Sequence, residues 1–494
     1  MSTVDELQDF ATYELFINGS WEHSSDGRRI ERTSPSDGRL VGNYARATGQ
    51  DVDRAVDAAR HAFDDTSWPT LAAPKRAALL RKISALLLER ADAIGRRISL
   101  ELGKPIALAR GEVVLTAEVF EYYAALTLDQ RSDLVSRHAP SALGLVLKEP
   151  VGVVAMITPW NFPLLLLSWK VAPALAAGCT MVAKPASSTP GSALDLAAVI
   201  RDAGVPDGVY NVLTGSGAEI GLALVEHEGV DKVAFTGSTE VGRTVMTSAA
   251  GTMKKISLEL GGKSPNIVFA DANLKLAVRN AYWGIFLNTG QACQAGSRVL
   301  VQREIHDEFV AALVEMTRKS RVGDPLDEET MIGPLVDQGQ LDTVMGYIEQ
   351  GVASGAVLVA GGKRLAGDLE KGLFVEPTIF DEVDRGASIF QEEIFGPVLS
   401  ITTFDTVDDA VRLANDSSFG LAASIWSSNL DTAIKTAKRI QSGTVWINAY
   451  HDAGLPFVMP MGGYKGSGIG RELGREGLDQ YYETKAVHIR LGKD

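Results

Sequence analysis

The segment FLNTGQACQAGSRVLV, Phe286 to Val301, carries Cys293, one of two cysteines in 494 residues. Small and polar residues surround it, with Gly290 and Gly296 three places to either side. A structural cysteine usually sits among large apolar neighbours, so this setting suits a thiol that another molecule reaches. A thiolate is nucleophilic near neutral pH and leaves readily from an acyl group. Upstream, SLELGGKSPNIVF contributes Glu259, a carboxylate able to move protons. ITPWNFPLLLLSWK contributes Asn161, whose amide can donate to developing negative charge. Taken singly, each has a plainer use: a cysteine as a small core residue, a glutamate or asparagine as a solvated or capping group.

Two glycine loops stand near these residues. FTGSTEVGRT, Phe235 to Thr244, approaches the phosphate-binding pattern GxxxxGK[ST], but Arg243 replaces the lysine. TGSGAEIG, Thr214 to Gly221, misses GxGxxG by one residue. In successive crossover units they favour a nucleotide at the first turns of two helices, where free N–H groups and the helix dipole attract pyrophosphate. The absent lysine argues against ATP hydrolysis. The seven histidines are scattered, with no HExxH or CxxC, so no metal site is expected.

The elements that must position these residues follow from periodicity. DVDRAVDAARHAF places Val52, Val56, Ala59 and Phe63 on one helical face, with Asp51 as N-cap. A second helical pattern ends at ELGKP, where Gly103 takes the left-handed position and Pro105 prevents continuation. From about residue 151, VGVVAMI, TMVAK, VYNVL, KVAF and NIVF read as buried strands. SALDLAAVIRDAG and EVGRTVMTSAA read as helices between them, a rhythm that predicts parallel sheets with ligands at the strand C-termini. A second alternating stretch spans about Asn266 to Asn448. The segment Leu126 to Lys148 fits neither pattern and reads as a structural extension.

Length predicts two or three domains. The 45% hydrophobic and 22% charged fractions describe a globular chain, and the net charge of −14 opposes binding to nucleic acid or anionic lipid. Two cysteines argue for a reducing compartment and against a Cys179–Cys293 disulfide. The acidic N-terminus lacks a signal-peptide pattern, and FPLLLLSWKVAPALAAGCTMVA is interrupted by Pro163, Lys170 and Pro173. No membrane partner is expected, and the expected location is cytoplasmic.

In order along the chain stand ITPWNFPLLLLSWK, KPASSTP from Lys184, SLELGGKSPNIVF, GQACQAG, QEEIFGPVL and MGGYKGSGIGRE. This series resembles the aldehyde dehydrogenase superfamily over nearly the whole chain, FINGSW and SPSDGRLVG included. The resemblance implies an α/β fold: a Rossmann-type dinucleotide-binding domain (1–128 and 150–261), an α/β catalytic domain (262–463) and a small β oligomerisation extension (129–149 and 464–494). It implies a homodimer or homotetramer. It further implies that Cys293 attacks an aldehyde, that the Asn161 amide and the Cys293 N–H bind the oxyanion, that hydride leaves for a nicotinamide, and that Glu259 activates the water that hydrolyses the thioester. Lys170 and Glu472 match proton-relay positions, although a lysine can also snorkel and a glutamate pair locally.

Around the dinucleotide the resemblance places Ile157, Thr158, Pro159, Trp160, Lys184, Ser187, Gly217, Gly221, Phe235, Ser238, Val241 and Leu260, with Glu393 on the nicotinamide ribose and Phe395 beside the ring. One departure concerns the cofactor. NAD-preferring members commonly carry Glu three residues after the KP lysine, and here that residue is Ser187. A carboxylate there would repel a 2′-phosphate, whereas a serine can donate to it and Lys184 supplies charge, so NADP is expected to be accepted alongside NAD. Phe162, Leu165, Leu166 and Trp169 match the aldehyde tunnel, with Met461 in PMGGYK where relatives often have an aromatic residue. For Leu165 and Leu166 ordinary core packing is an equal reading. An apolar tunnel suits neutral aliphatic or aromatic aldehydes. Asn448 to Pro460 is expected at its mouth. The alternatives are a CoA-acylating member, which needs no water-activating Glu259; a catalytically silent homologue; and a P-loop nucleotidase, which Arg243 disfavours. Cys179, in AAGCTMVA, reads as core.

Overall fold

The computed structural model describes residues 10–129, 133–135, 142–450 and 457–492. Two large sheets dominate it. The first has eight strands in the order Gly468–Ile469, Lys255–Glu259, Lys232–Thr236, Val153–Ile157, Thr180–Lys184, Tyr210–Val212, Leu15–Ile17 and Ser20–Glu22. Its five central strands are parallel, and the flanking pieces are antiparallel. Four of the five central segments are buried at every residue because helices cover both faces.

Strand order reverses beside Val153–Ile157: the next two strands in the chain add on one side and the following two on the other. Such a switch point opens a crevice at the strand C-termini. Register aligns Ile157 with both Lys184 and Phe235, and Thr236 with Glu259, so the ends of four strands share one rim.

The second sheet has seven strands, Val357–Ala360, Thr378–Asp381, Val398–Phe404, Arg298–Gln302, Pro265–Val268, Ala422–Trp426 and Thr444–Ile447 in spatial order, all parallel except the first. Gly261–Lys263, Cys293 and Glu393–Phe395 precede its strands and form its N-terminal rim. A third sheet pairs Tyr482–Arg490 with Ala142–Pro150 and Asp133–Val135, and its long pair is largely exposed or half-exposed.

The predicted strands and crossover helices are present, and Gly103 closes Ala91–Leu102 at φ 83°. Three readings change. The N-cap of Gly49–Asp64 is Thr48, and Asp51 is the third helical residue of a capping box, its carboxylate accepting from the Thr48 N–H at 2.8 Å. Leu126–Leu128 completes the long helix Ile106–Leu128 and is not part of an extension. Phe63 is half-buried beneath Arg60 instead of closing the apolar face, where Ala55 and Ala62 stand. Both cysteines are free. Among the described residues no helix is long and apolar enough to cross a membrane, and no group of three or more His, Cys, Asp or Glu could hold a metal ion.

Candidate active site

Cys293 sits where the two sheet rims meet. The loop before it turns through three consecutive left-handed residues, Asn288 (φ 51°), Thr289 (φ 59°) and Gly290 (φ 73°). Threonine rarely adopts this region, and tertiary contacts hold it there. The Thr289 hydroxyl donates to Gly333 O at 3.1 Å, and Gln291 Oε1 accepts from the Val336 N–H at 3.0 Å. A Cβ at Gly290 would stand 2.1 Å from Gly396 O, so both φ and space demand glycine there.

Asn161 is buried against this loop. Its Nδ2 donates to Gln291 O at 3.0 Å, while Asn288 Nδ2 donates to the Asn161 carbonyl at 3.0 Å. One Asn161 N–H is thereby left for another acceptor. The two glycines of ELGGK explain how the rims close. A Cβ at Gly261 would lie 2.2 Å from Glu393 Oε2, and one at Gly262 would lie 2.3 Å from Cys293 O. The Gly262 N–H donates to Glu393 Oε1 at 2.9 Å. Trp160 and Phe395 meet edge-to-face with ring centres 5.2 Å apart, and Phe395 also holds a left-handed φ of 58°.

The electrostatics are those of a dry acidic cluster. Burial pushes the Cys293 thiol up to about 12, reinforced by Glu393 and Glu259 and opposed by the backbone N–H groups of Gln294 and Cys293. Cys293 keeps a partly open face. The direction of the shift makes the resting group a thiol, not a thiolate. Burial also raises Glu259 well above the usual carboxylate range; repulsion from Glu472 adds to this, and Lys170 and Arg471 oppose it. Neither Glu259 oxygen has a hydrogen-bond partner among the described residues, and a Cβ at Gly462 would lie 2.8 Å from Oε1. Glu393 is pushed up to about 7 by burial, against the Gly262 N–H and Lys263.

Lys170, fully buried, donates to Glu472 Oε1 at 2.5 Å and to Thr236 Oγ1 at 2.6 Å. A backbone bridge between Met461 and Glu472, 2.7 Å in both directions, brings Glu472 to this pair. Thr236 borders Glu259 in the sheet, so Lys170 and Glu472 lie beside the carboxylate.

Along the rim of the first sheet, Lys184 is buried with no hydrogen-bond or ion-pair partner among the described residues, and burial lowers it to about 8. Its Nζ stands 3.6 Å from the position of a Gly217 Cβ, and Gly221 lies against both Lys184 and Ile157. The Thr158 hydroxyl is buried and has no partner among the described residues, and the Thr158 N–H donates to Lys184 O at 3.2 Å. Ser238 caps Thr239–Ala249 by accepting from the Val241 N–H at 3.3 Å, and Val241 is exposed. Leu260 packs on Gly242, and Phe235 on Gly237. An unpaired ammonium, an orphan hydroxyl and an open helix turn fit an anionic dinucleotide. The Ser187 hydroxyl donates to Gly215 O at 2.7 Å, which leaves it an acceptor rather than a free donor.

Leu165, Leu166, Trp169 and Met461 are between 3% and 5% exposed and belong to one apolar cluster, against which Trp160, Phe162 and Cys293 pack half-buried. Of the five tunnel residues, Phe162 is the one with an open face. Asn448 and Tyr450 are described, but 451–456 of the expected mouth lie outside the described residues. Cys179 is core, its thiol 3.4 Å from Tyr481 O. Sequence reading missed Gln291, Asn288 and Thr236, which hold the candidate residues through long-range bonds, and Lys263, buried beside Glu393 with no hydrogen-bond partner among the described residues. Asparagine and glutamine so close to Cys293 were the available signal.

A thiol between a dinucleotide-type sheet and a second α/β sheet, with a carboxylate near enough to raise it and an amide bonded to its loop, defines a cysteine-dependent oxidoreductase architecture. Residues 21–487 match the model of the aldehyde dehydrogenase family. The chain is 47% identical to an aldehyde dehydrogenase of Alternaria alternata, covering 97% of this chain and 95% of the relative. It superposes on the crystal structure of an NAD-dependent aldehyde dehydrogenase from Sinorhizobium meliloti with a TM-score of 0.97 and 45% identity, covering 99% and 96% of the two chains. A betaine aldehyde dehydrogenase from Staphylococcus aureus, solved in complex with NAD+, gives a TM-score of 0.95 and 38% identity, covering 97% and 95%. The protein belongs to the aldehyde dehydrogenase family.

Replacing Gly290 with Ala forces a strained φ and a collision with Gly396 O. Strain of this kind costs about 1–3 kcal/mol before the clash is counted. Thermal unfolding is expected to shift downward and alkylation of Cys293 by iodoacetamide to change severalfold; unchanged values for both contradict the loop geometry.

Proposed function

We propose that the protein oxidises an aldehyde to a carboxylate with NAD, accepting NADP as well, through covalent catalysis at Cys293. The observation that carries this is the convergence of Cys293, Asn161 and Glu259 at the meeting of the two sheet rims. In this reading the Cys293 sulfur, once deprotonated, adds to the aldehyde carbon. The oxyanion accepts from the free Asn161 N–H and the Cys293 backbone N–H. Nicotinamide bound along the first rim supplies the hydride acceptor. Loss of hydride from the adduct leaves a thioester on Cys293. Glu259 then takes a proton from the attacking water, and the thiolate departs. Its raised proton affinity makes the Glu259 carboxylate a stronger base than a solvated one. Lys170 and Glu472 receive that proton or return it. Glu393, held by Gly262 N–H, keeps Oε2 for a ribose hydroxyl, and Lys184 faces the adenosine half.

The division into 1–128 with 150–261, 262–463, and 129–149 with 464–494 is part of the same proposal. The two separate large sheets support it, with the strand Gly468–Ile469 lent back to the first sheet. The exposed ribbon of Ala142–Pro150 and Tyr482–Arg490 supports a homodimer or homotetramer, since an exposed sheet edge invites a second chain. The low cysteine content supports a reducing, cytoplasmic setting. The half-buried Phe162 and the apolar cluster behind it favour a neutral aliphatic or aromatic aldehyde.

Nicotinamide reduction with an aldehyde panel tests the reaction. Cys293→Ala is expected to abolish turnover. Glu259→Gln is expected to release one equivalent of reduced nicotinamide and then stall, with the acyl group on Cys293 visible by mass spectrometry. Asn161→Ala should slow the chemical step by about 10²–10³-fold, the usual loss for an oxyanion donor. A Glu259→Gln enzyme that turns over at the wild-type rate removes its role, and restoration of turnover by CoA alone favours the acylating alternative.

For the cofactor, the NADP KM is expected within a hundredfold of that for NAD. The Lys184 amine, lowered to about 8, is a cation below that pH and favours bound phosphate. The NADP Kd should therefore be flat below pH 8 and rise above it; a Kd that falls with rising pH, or a larger KM ratio, contradicts the assignment.

A further inference from the structure

The helix Leu165–Ala177 begins four residues after Asn161, and its N-terminus has no capping side chain of its own. Its N–H groups are served from elsewhere. Glu112, in Ile106–Leu128, places Oε1 3.0 Å from the Leu164 N–H and 3.1 Å from the Leu165 N–H. Its Oε2 accepts from the Lys104 ammonium, and both side chains are buried to within 2%. The same ammonium lies 3.8 Å from the centre of the Phe162 ring. A buried pair of this kind is costly to desolvate and strongly destabilising to break singly. Its value here is geometric: the carboxylate grips the start of the helix and the cation grips the ring beside Asn161.

The turn that carries Lys104 also touches the opposite arm of the site. Gly103 packs on Pro334, and a Cβ at Gly333 would meet Gly103 O at 1.9 Å. Gly333 O and the Val336 N–H are the groups that brace Thr289 and Gln291 in the Cys293 loop. One five-residue stretch, ELGKP, thus bears on both the amide arm and the thiol arm.

We propose that Lys104 and Glu112 are positioning residues for the reaction, fixing the Asn161 amide over Cys293 and setting the width of the aldehyde entrance at Phe162. This rests on the reading of Cys293 and Asn161 given above. The pair touches neither the thiol nor the dinucleotide rim. Loosening it displaces the oxyanion donor and Phe162 while leaving cofactor binding in place and the thiol open to a small alkylating reagent. Substrates of different girth should respond differently, because the ring is held on one side by a charge and is open on the other.

The test compares the full-length wild type with Lys104→Met/Glu112→Leu, which removes both charges together, and with Glu112→Asp, which keeps both but draws the carboxylate back from the Leu164 and Leu165 amides. For each, the melting temperature, the kcat and KM for a slender and a bulky aldehyde, the NAD Kd and the rate of Cys293 alkylation by iodoacetamide are measured. The double variant is expected to lose at least tenfold in kcat and to change the ratio of kcat/KM between the two aldehydes by at least threefold, with NAD Kd and alkylation within twofold of wild type. A folded double variant with kcat and aldehyde preference within twofold of wild type overturns the proposal. So does a loss in which NAD binding and alkylation fall in parallel, since that is general disruption. Should the double variant not fold, Glu112→Asp is judged by the same criteria. A wild type that is alkylated and binds NAD but oxidises no aldehyde refutes the proposed function itself, and that outcome is distinct from the other two.

Discussion

The approach of two backbones at Gly261–Gly262 is the constraint on which the site depends. The strand Lys255–Glu259 of the first sheet ends here and the strand Pro265–Val268 of the second begins six residues later. Any side chain at either glycine would occupy the place of Glu393 or of the Cys293 carbonyl. Their absence lets three catalytic candidates from distant parts of the chain share one small volume. The rest of the architecture supports that closure: switch-point topology puts Ile157, Lys184 and Phe235 in one row, and the left-handed turn at 288–290 points the chain toward Cys293.

Closure has an electrostatic consequence. Burying Glu259, Glu393 and most of Cys293 raises the proton affinity of all three, so the thiol stays neutral at rest and each carboxylate, when ionised, is a stronger proton acceptor than a solvated one. A thiol kept neutral is protected from oxidation between turnovers. It becomes a nucleophile when its proton has somewhere to go. In the proposed reaction Glu259, its proton affinity raised by burial, is the acceptor, and Glu472 with Lys170 and Thr236 extends the path away from the sulfur. Protonation and bond formation are in this way tied to one another, which suits a reaction whose two halves need the same carboxylate first to accept one proton and later another.

What the sequence disclosed follows from how local each signal is. The parallel strands were legible because helices cover both faces, leaving continuous apolar runs such as VVAMI and TMVAK. Cys293, Glu259 and Asn161 were legible because their residue types fit one reaction, and an ordered series of motifs linked them. Assignment of the helix cap to Asp51 failed because Thr48 and Asp51 are both capping residues, three positions apart, and the choice between them is made by the Thr48 backbone. The donor role of Ser187 was lost to Gly215, 28 residues away, a partner no local pattern shows. The tunnel was hardest to read: every residue of Leu165–Ala177 is buried, so its apolar positions do not distinguish a lining from a core. Lys104 and Glu112 were silent for a related reason. Their spacing is ordinary, and what they hold lies about fifty residues further on.

The pH dependence of Cys293 alkylation by iodoacetamide, followed without aldehyde or cofactor in wild type and in Glu259→Gln, tests the central claim most directly. A site that withholds the thiolate predicts slow alkylation at pH 7 and a rate that keeps rising well past pH 9, with the rise moved to lower pH once the Glu259 charge is removed. A wild-type rate that has already reached its plateau at pH 7, or a profile that Glu259→Gln leaves unmoved, would contradict the account of a dry acidic cluster holding the nucleophile protonated.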